Sequence, residues 1–134
     1  MREVSVERFV AETPTYLRRQ LTPERIVEYE GSFDVTDVRD EGDAMIVTAT
    51  GRGLQFDLRF EARDGDYYYR HLGDEGPFEH MESWLHMSRK DEGTVLTARS
   101  KVSLSVPLPG MDRLAGWKRR GELKRLLETI DREL

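Results

Sequence analysis

The chain has 134 residues, 37% of them hydrophobic and 35% charged, with a formal net charge of −5 and no cysteine. That length suits one domain around one core. The missing cysteines exclude disulfides, thiolate metal sites and a cysteine nucleophile, and the negative charge argues against non-specific binding of nucleic acid. No apolar run approaches the roughly 20 residues of a membrane-spanning helix, and no stretch reads as a secretory leader. The expectation is a cytoplasmic protein without integral membrane association.

Residues 2–10 alternate, with Val4 and Val6 on one face and Glu3, Ser5, Glu7 and Phe9 on the other, which predicts a strand. Thr13-Pro14 and Thr22-Pro23 each read as an N-cap followed by proline at the first helical position. Starts so close together leave room only for two short helices, and Gly31 is placed to end the second. Strands are then predicted over about 32–39, 44–50, 54–63, 66–72, 77–89 and 94–106. Asp40-Glu41-Gly42, Arg52-Gly53, Asp64-Gly65, Gly73 to Gly76 and Asp91-Glu92-Gly93 supply the turns. Pro107 and Pro109-Gly110 end the sheet. Residues 111–134 form one long helix, with Leu123, Leu127, Ile130 and Leu134 on a face that Leu114, Trp117 and Gly121 continue upstream.

Certain local pieces accompany this order: Leu21-Thr22-Pro23-Glu24-Arg25 before the second strand, Gly93-Thr94-Val95-Leu96-Thr97 opening the seventh, and Trp117-Lys118-Arg119-Arg120 leading into the last helix. The chain resembles, over its whole length, the START-like (SRPBCC) superfamily, which includes Bet v 1 and the polyketide cyclase-like proteins. The resemblance implies an α+β helix-grip fold: an antiparallel seven-stranded sheet wrapped round a long C-terminal helix, with two short helices after strand one. It also implies an apolar ligand cavity between sheet and helix, and it implies no particular reaction.

Turn lengths fix strand pairing, and pairing fixes which side chains share a face. Three-residue loops at 40–42 and 91–93 and two-residue turns at 52–53 and 64–65 set Val35 opposite Val47, Val47 opposite Leu58, Ala49 opposite Phe56, Phe60 opposite Tyr69, Trp84 opposite Ser100 and His86 opposite Ala98. Pairing Leu72 with Pro77 sets Tyr69 opposite His80 and Tyr67 opposite Glu82. The expected cavity face therefore carries Phe56, Leu58, Tyr67, Tyr69, His71, His80, Glu82, Trp84, His86 and Ser100, covered by Trp117 and Gly121. All three histidines of the chain fall on it. A slip of strand six by one residue gives the alternative: Met81, Leu85 and Met87 inside, with His80, Glu82 and His86 in water. On the first register those three apolar residues form an exposed stripe, suited to a homodimer or partner surface.

The expected function is binding of a small hydrophobic or aromatic molecule in the cavity. An alternative is a polyketide cyclase or aromatase type of enzyme, with Glu82, His80 and Tyr69 as acid–base and oxyanion groups. A third reading is a protein-interaction module using the apolar stripe. His71, His80, Glu82 and His86 have no metal-site spacing, so neither metal nor cofactor is expected. The basic run Lys118, Arg119, Arg120, Lys124 and Arg125 interleaves with acidic residues and reads as a solvated face. An anionic membrane surface or RNA is the sharper reading, and the net charge counts against it.

Overall fold

The computed structural model describes residues 1–104 and 108–134. The elements are β1 (Arg2–Val10), α1 (Pro14–Gln20), α2 (Pro23–Glu30), β2 (Asp34–Asp40), β3 (Ala44–Gly51), β4 (Leu54–Arg63), β5 (Asp66–Leu72), β6 (His80–Lys90), β7 (Gly93–Ser103) and α3 (Met111–Glu133). The strands form one antiparallel sheet in the order β1-β7-β6-β5-β4-β3-β2. With α3 packed on that sheet, this is the helix-grip arrangement. The predicted end of the seventh strand at Val106, and Pro107 beyond it, lie outside the described residues. No helix among the described residues is long and apolar enough to cross a membrane.

The helix starts follow from their caps. The Thr13 hydroxyl accepts from the Tyr16 amide and the Thr22 hydroxyl from the Arg25 amide, both at 3.2 Å, and Pro14 and Pro23 follow at the first helical position. Gly31 closes α2 at φ 82°, a left-handed cap. The two-residue turns at Arg52-Gly53 and Asp64-Gly65 hold both central residues at positive φ, which gives the expected pairs Val47–Leu58, Ala49–Phe56, Leu58–His71, Phe60–Tyr69 and Ala62–Tyr67.

Three registers differ from expectation. Between β2 and β3 the turn closes between Glu41 and Ala44, so that Asp40 pairs with Met45 and Val38 with Val47, and a bulge between Val35 and Asp37 then sets Val35 opposite Ala49, instead of Val35 opposite Val47. Between β6 and β7 the loop is Asp91-Glu92, because Lys90 pairs with Gly93 and Asp91 takes φ 54°. Gly93 reads as a turn residue but opens β7. A Cβ there would lie 2.5 Å from the Phe9 ring and 2.6 Å from the Val10 carbonyl oxygen, so close approach by β1 sets the glycine. Between β5 and β6 the chain does not return at Pro77. The ladder starts at Arg70–Glu82 and runs to Tyr67–Leu85, leaving a longer connection in which the His71 ring meets the Glu75 carbonyl and occupies the space beside Gly76. Both shifts are odd numbers of residues, so both turn β6 over.

Met81, Ser83, Leu85 and Met87 therefore face the helix and are buried, and the expected exposed stripe does not exist. The core joins these to Val47, Leu58, Phe60, Tyr69, Leu96, Ala98 and Val102 from the sheet, and to Ala115, Leu123, Leu126, Leu127 and Ile130 from α3. Each of the large aliphatic side chains contributes about 1.5–3 kcal/mol by leaving water. At Gly116 the helix runs so close to β1 that a Cβ would sit 2.5 Å from Arg2 Cγ.

Candidate functional site

The face of α3 that meets the sheet carries two charged residues among its leucines, Arg119 and Glu122, 1% and 3% exposed. Arg119 pairs with Glu122 and with Glu30 at the end of α2, 7% exposed. Arg119 Nη1 donates to Glu30 Oε1 at 2.6 Å and to Glu122 Oε1 at 3.0 Å, and Nη2 donates to Glu30 Oε2 at 3.0 Å. Nη2 also reaches Tyr69 Oη at 3.0 Å and Ser83 Oγ at 2.9 Å, while Nε donates to Ser100 Oγ at 3.2 Å. The Tyr69 hydroxyl donates to Glu30 Oε2. Ser100 donates to the Glu82 carbonyl at 3.0 Å, and the one Ser83 hydroxyl proton is shared between Ser100 Oγ at 2.8 Å and Met81 Sδ at 3.1 Å. One guanidinium thus gathers five side chains from α2, α3, β5, β6 and β7.

Burial works to lower the Arg119 pKa, but Glu30, Tyr69 and Glu122 outweigh it and hold the cation firmly charged. Burial, reinforced by the Glu30 charge, pushes the Tyr69 phenol well above its usual range, so it stays a hydrogen-bond donor. Two carboxylates face one cation, and no hydrogen bond among the described residues reaches Glu122 Oε2.

The network borders a cavity whose other walls are apolar: Val27, Phe33, Phe56, Leu58, Pro77, Phe78 and Met81, with Ser32 and His71 towards the surface. Its volume is about 20 Å³, room for about one water molecule. The Phe56 ring meets Phe33 and His71 edge-on, at 4.9 and 5.2 Å between centroids. The expected ligand cavity is thus nearly closed at this place.

Of the expected site residues, Phe56, Leu58 and His71 line this cavity, and Tyr69 and Ser100 belong to the buried network. Tyr67 faces the same side but at the far end, where its hydroxyl donates to the Leu21 carbonyl. Burial raises its phenol pKa, against the opposing charge of Arg18. His80, Glu82, Trp84 and His86 are corrected to the outer face, because β6 is turned over. The sheet thus separates Tyr69 from His80 and Glu82, and the expected acid–base set does not meet. Trp117 and Gly121 are corrected to the outer side of α3: the indole is 75% exposed, and nothing lies within 4 Å of a Cβ built on Gly121. Among the described residues no group of three His, Cys, Asp or Glu side chains comes together as a metal site.

On the outer face Glu82 accepts from the Tyr68 hydroxyl at 2.7 Å, and burial, then that carboxylate, pushes the Tyr68 pKa up to about 12. His80 Nε2 lies 3.7 Å from Glu82 Oε1, and His86 Nδ1 lies 2.6 Å from Asp66 Oδ2. Arg63 covers the Tyr68 ring at 3.7 Å and Arg99 covers Trp84 at 4.0 Å. These side chains knit the exposed side of the sheet together.

The residues that sequence reasoning missed are Arg119, Glu122, Glu30 and Ser83. The signal for the first two was present: Arg119 precedes Leu123 by four and Leu126 by seven, and Glu122 precedes Leu126 by four. Their charge led the predicted face away from them to Trp117 and Gly121.

No family model matches the chain, and no curated protein matches it. Solved structures do. The TTHA0849 protein of Thermus thermophilus is similar with a TM-score of 0.74 at 19% identity, over 98% of this chain and 95% of that one. A START superfamily protein from Mycobacterium smegmatis gives 0.70 at 15% identity, over 98% and 99%. The Bet v 1-like Ara h 8.0201 gives 0.59 at 16% identity, over 96% and 97%. The chain has the START/Bet v 1-like fold, matched over 96–98% of its length.

Proposed function

We propose that this protein binds a small, mostly apolar or aromatic molecule carrying a hydrogen-bond-donating group, between the sheet and α3. The observation that supports this reading is the buried Arg119–Glu30–Glu122 set at the edge of an otherwise apolar cavity. A buried ion pair is a poor device for stability, since apolar residues of equal volume serve as well or better. Beside a hollow it supplies fixed polar atoms that orient a ligand. The excess carboxylate, with no hydrogen bond among the described residues at Glu122 Oε2, favours a hydroxyl or amine and disfavours a ligand carboxylate. At about 20 Å³ the cavity admits such a molecule only by outward movement of its rim. Pro77, Ser32 and Phe33, all partly exposed, stand there on connections and not on paired strands.

Titration with 1-naphthol and with 1-naphthoate tests the reading. Naphthol binds and protects against thermal unfolding, naphthoate binds at least about tenfold more weakly, and Glu122→Gln removes the preference. Binding of neither compound at about 1 mM, or equal binding of both, would overturn it. Native mass spectrometry of the protein as purified identifies a retained ligand directly.

A further inference from the structure

The outer side of α3 carries a second site. Trp117, Arg120, Gly121 and Lys124 recur at i, i+3, i+4 and i+7, so they share one exposed helix face. With Lys118 and Arg125 from the same helix, Arg52 from the β3–β4 turn and Ser32, they line a groove of about 530 Å³. That volume lies within the range of small-molecule sites. Five cationic side chains converge there in a chain whose net charge is −5. Among the described residues Arg52, Lys118, Arg120 and Lys124 form no ion pair, and Arg125 gives only Nε and Nη2 to neutral acceptors, the Glu30 carbonyl at 2.8 Å and Ser32 Oγ at 3.2 Å. Glu7 and Glu128 stand on the far side of Arg120 and Lys124, in a neighbouring depression. Neither pairs with them.

The groove also has an apolar feature. The Trp117 indole is 75% exposed, and the space above Gly121, one turn along, is open. A tryptophan face beside a gap accepts a flat ring by stacking, while the surrounding cations accept the oxygens of a phosphate chain. We infer that this groove binds an organic phosphate bearing a flat ring, of the nucleoside triphosphate class, with its ring on Trp117 and its phosphates among Arg52, Arg120, Lys124 and Arg125. The concavity favours such a ligand over a membrane surface, which calls for a projecting ridge.

The test is calorimetric titration of the whole protein with ATP and, separately, with inorganic tripolyphosphate, both without magnesium and at low salt. The expected result is saturable one-to-one binding of ATP, about tenfold tighter than tripolyphosphate because only ATP can stack, with quenching of Trp117 fluorescence. Trp117→Ala makes the two ligands equal. The double change R120E with K124E weakens both at least about tenfold, and Arg52→Glu, on the β3–β4 turn, gives an independent loss. All these side chains are exposed, so the melting temperature of each variant stays at the wild-type value. Equal affinity for ATP and tripolyphosphate in the wild type, or binding untouched by charge reversal, overturns the proposal. Attachment to phosphatidylglycerol vesicles without saturable ATP binding also overturns it, and assigns the cations to lipid headgroups.

Discussion

At the scale of single residues, Arg119 sets the character of the interior. Arg119→Leu leaves Glu30 and Glu122 buried without their cation, and the expected loss is about 3–5 kcal/mol. Replacing all three by apolar residues of similar size is expected to cost far less. Urea unfolding of both variants measures the contrast; equal destabilisation of the two would show that packing, not charge, is what the network supplies. Tyr68 gives a pH signature on the other side of the sheet. Its folded pKa is raised to about 12 from an ordinary value of about 10. A group raised in the folded state stabilises fully below its unfolded pKa and loses that contribution as pH rises through the folded one. The stability difference between wild type and Tyr68→Phe is therefore flat up to about pH 10 and shrinks between about pH 10 and 12. A difference independent of pH would remove the Tyr68–Glu82 bond from the account. Tyr69 and Ser100 were legible as interior groups because alternation on well-turned strands names them. Arg119 was not, because side-chain charge argues for water unless a partner is known. Its partner Glu30 is 89 positions away in the chain.

At the scale of elements, the two short helices, the seven strands and the long helix were all readable, since caps, turns and alternation are local signals. Registers were readable only where turn type is unambiguous. Arg52-Gly53 and Asp64-Gly65 place a glycine at the second turn position, and their pairings came out as expected. Asp91-Glu92-Gly93 misleads because a glycine beside a turn can be there for a neighbour instead. Gly93→Ala drives a methyl group against Phe9 and the Val10 carbonyl. Overpacking of this kind is expected to cost about 1–3 kcal/mol, read as a lowered urea midpoint. A neutral outcome would mean that β1 moves away freely. Moving one glycine out of the loop changes its length by one, and together with the later return of the chain after β5 this turns β6 over: His80, Glu82, Trp84 and His86 go outside and Met81, Leu85 and Met87 come in.

At the scale of the whole molecule, the cavity beside Arg119 has a volume of only about 20 Å³, so stability and capacity oppose each other there. Phe78→Ala is expected to cost about 3–5 kcal/mol while admitting 1-naphthol more tightly than the wild type does. Thermal unfolding with and without the ligand measures both effects, and a destabilised variant with unimproved binding would place the ligand elsewhere. The Arg119 network has one more consequence, for assembly. Leucine and isoleucine side chains on α3 could rest on the sheet in several nearly equal ways, because apolar contacts are not directional. The guanidinium fork is directional: a slide of the helix by one residue, about 1.5 Å, would take its donors off Glu30, Tyr69, Ser83 and Ser100 together. The buried charges act as a key that admits a single phase of the helix, and α2 is locked in the same turn of that key.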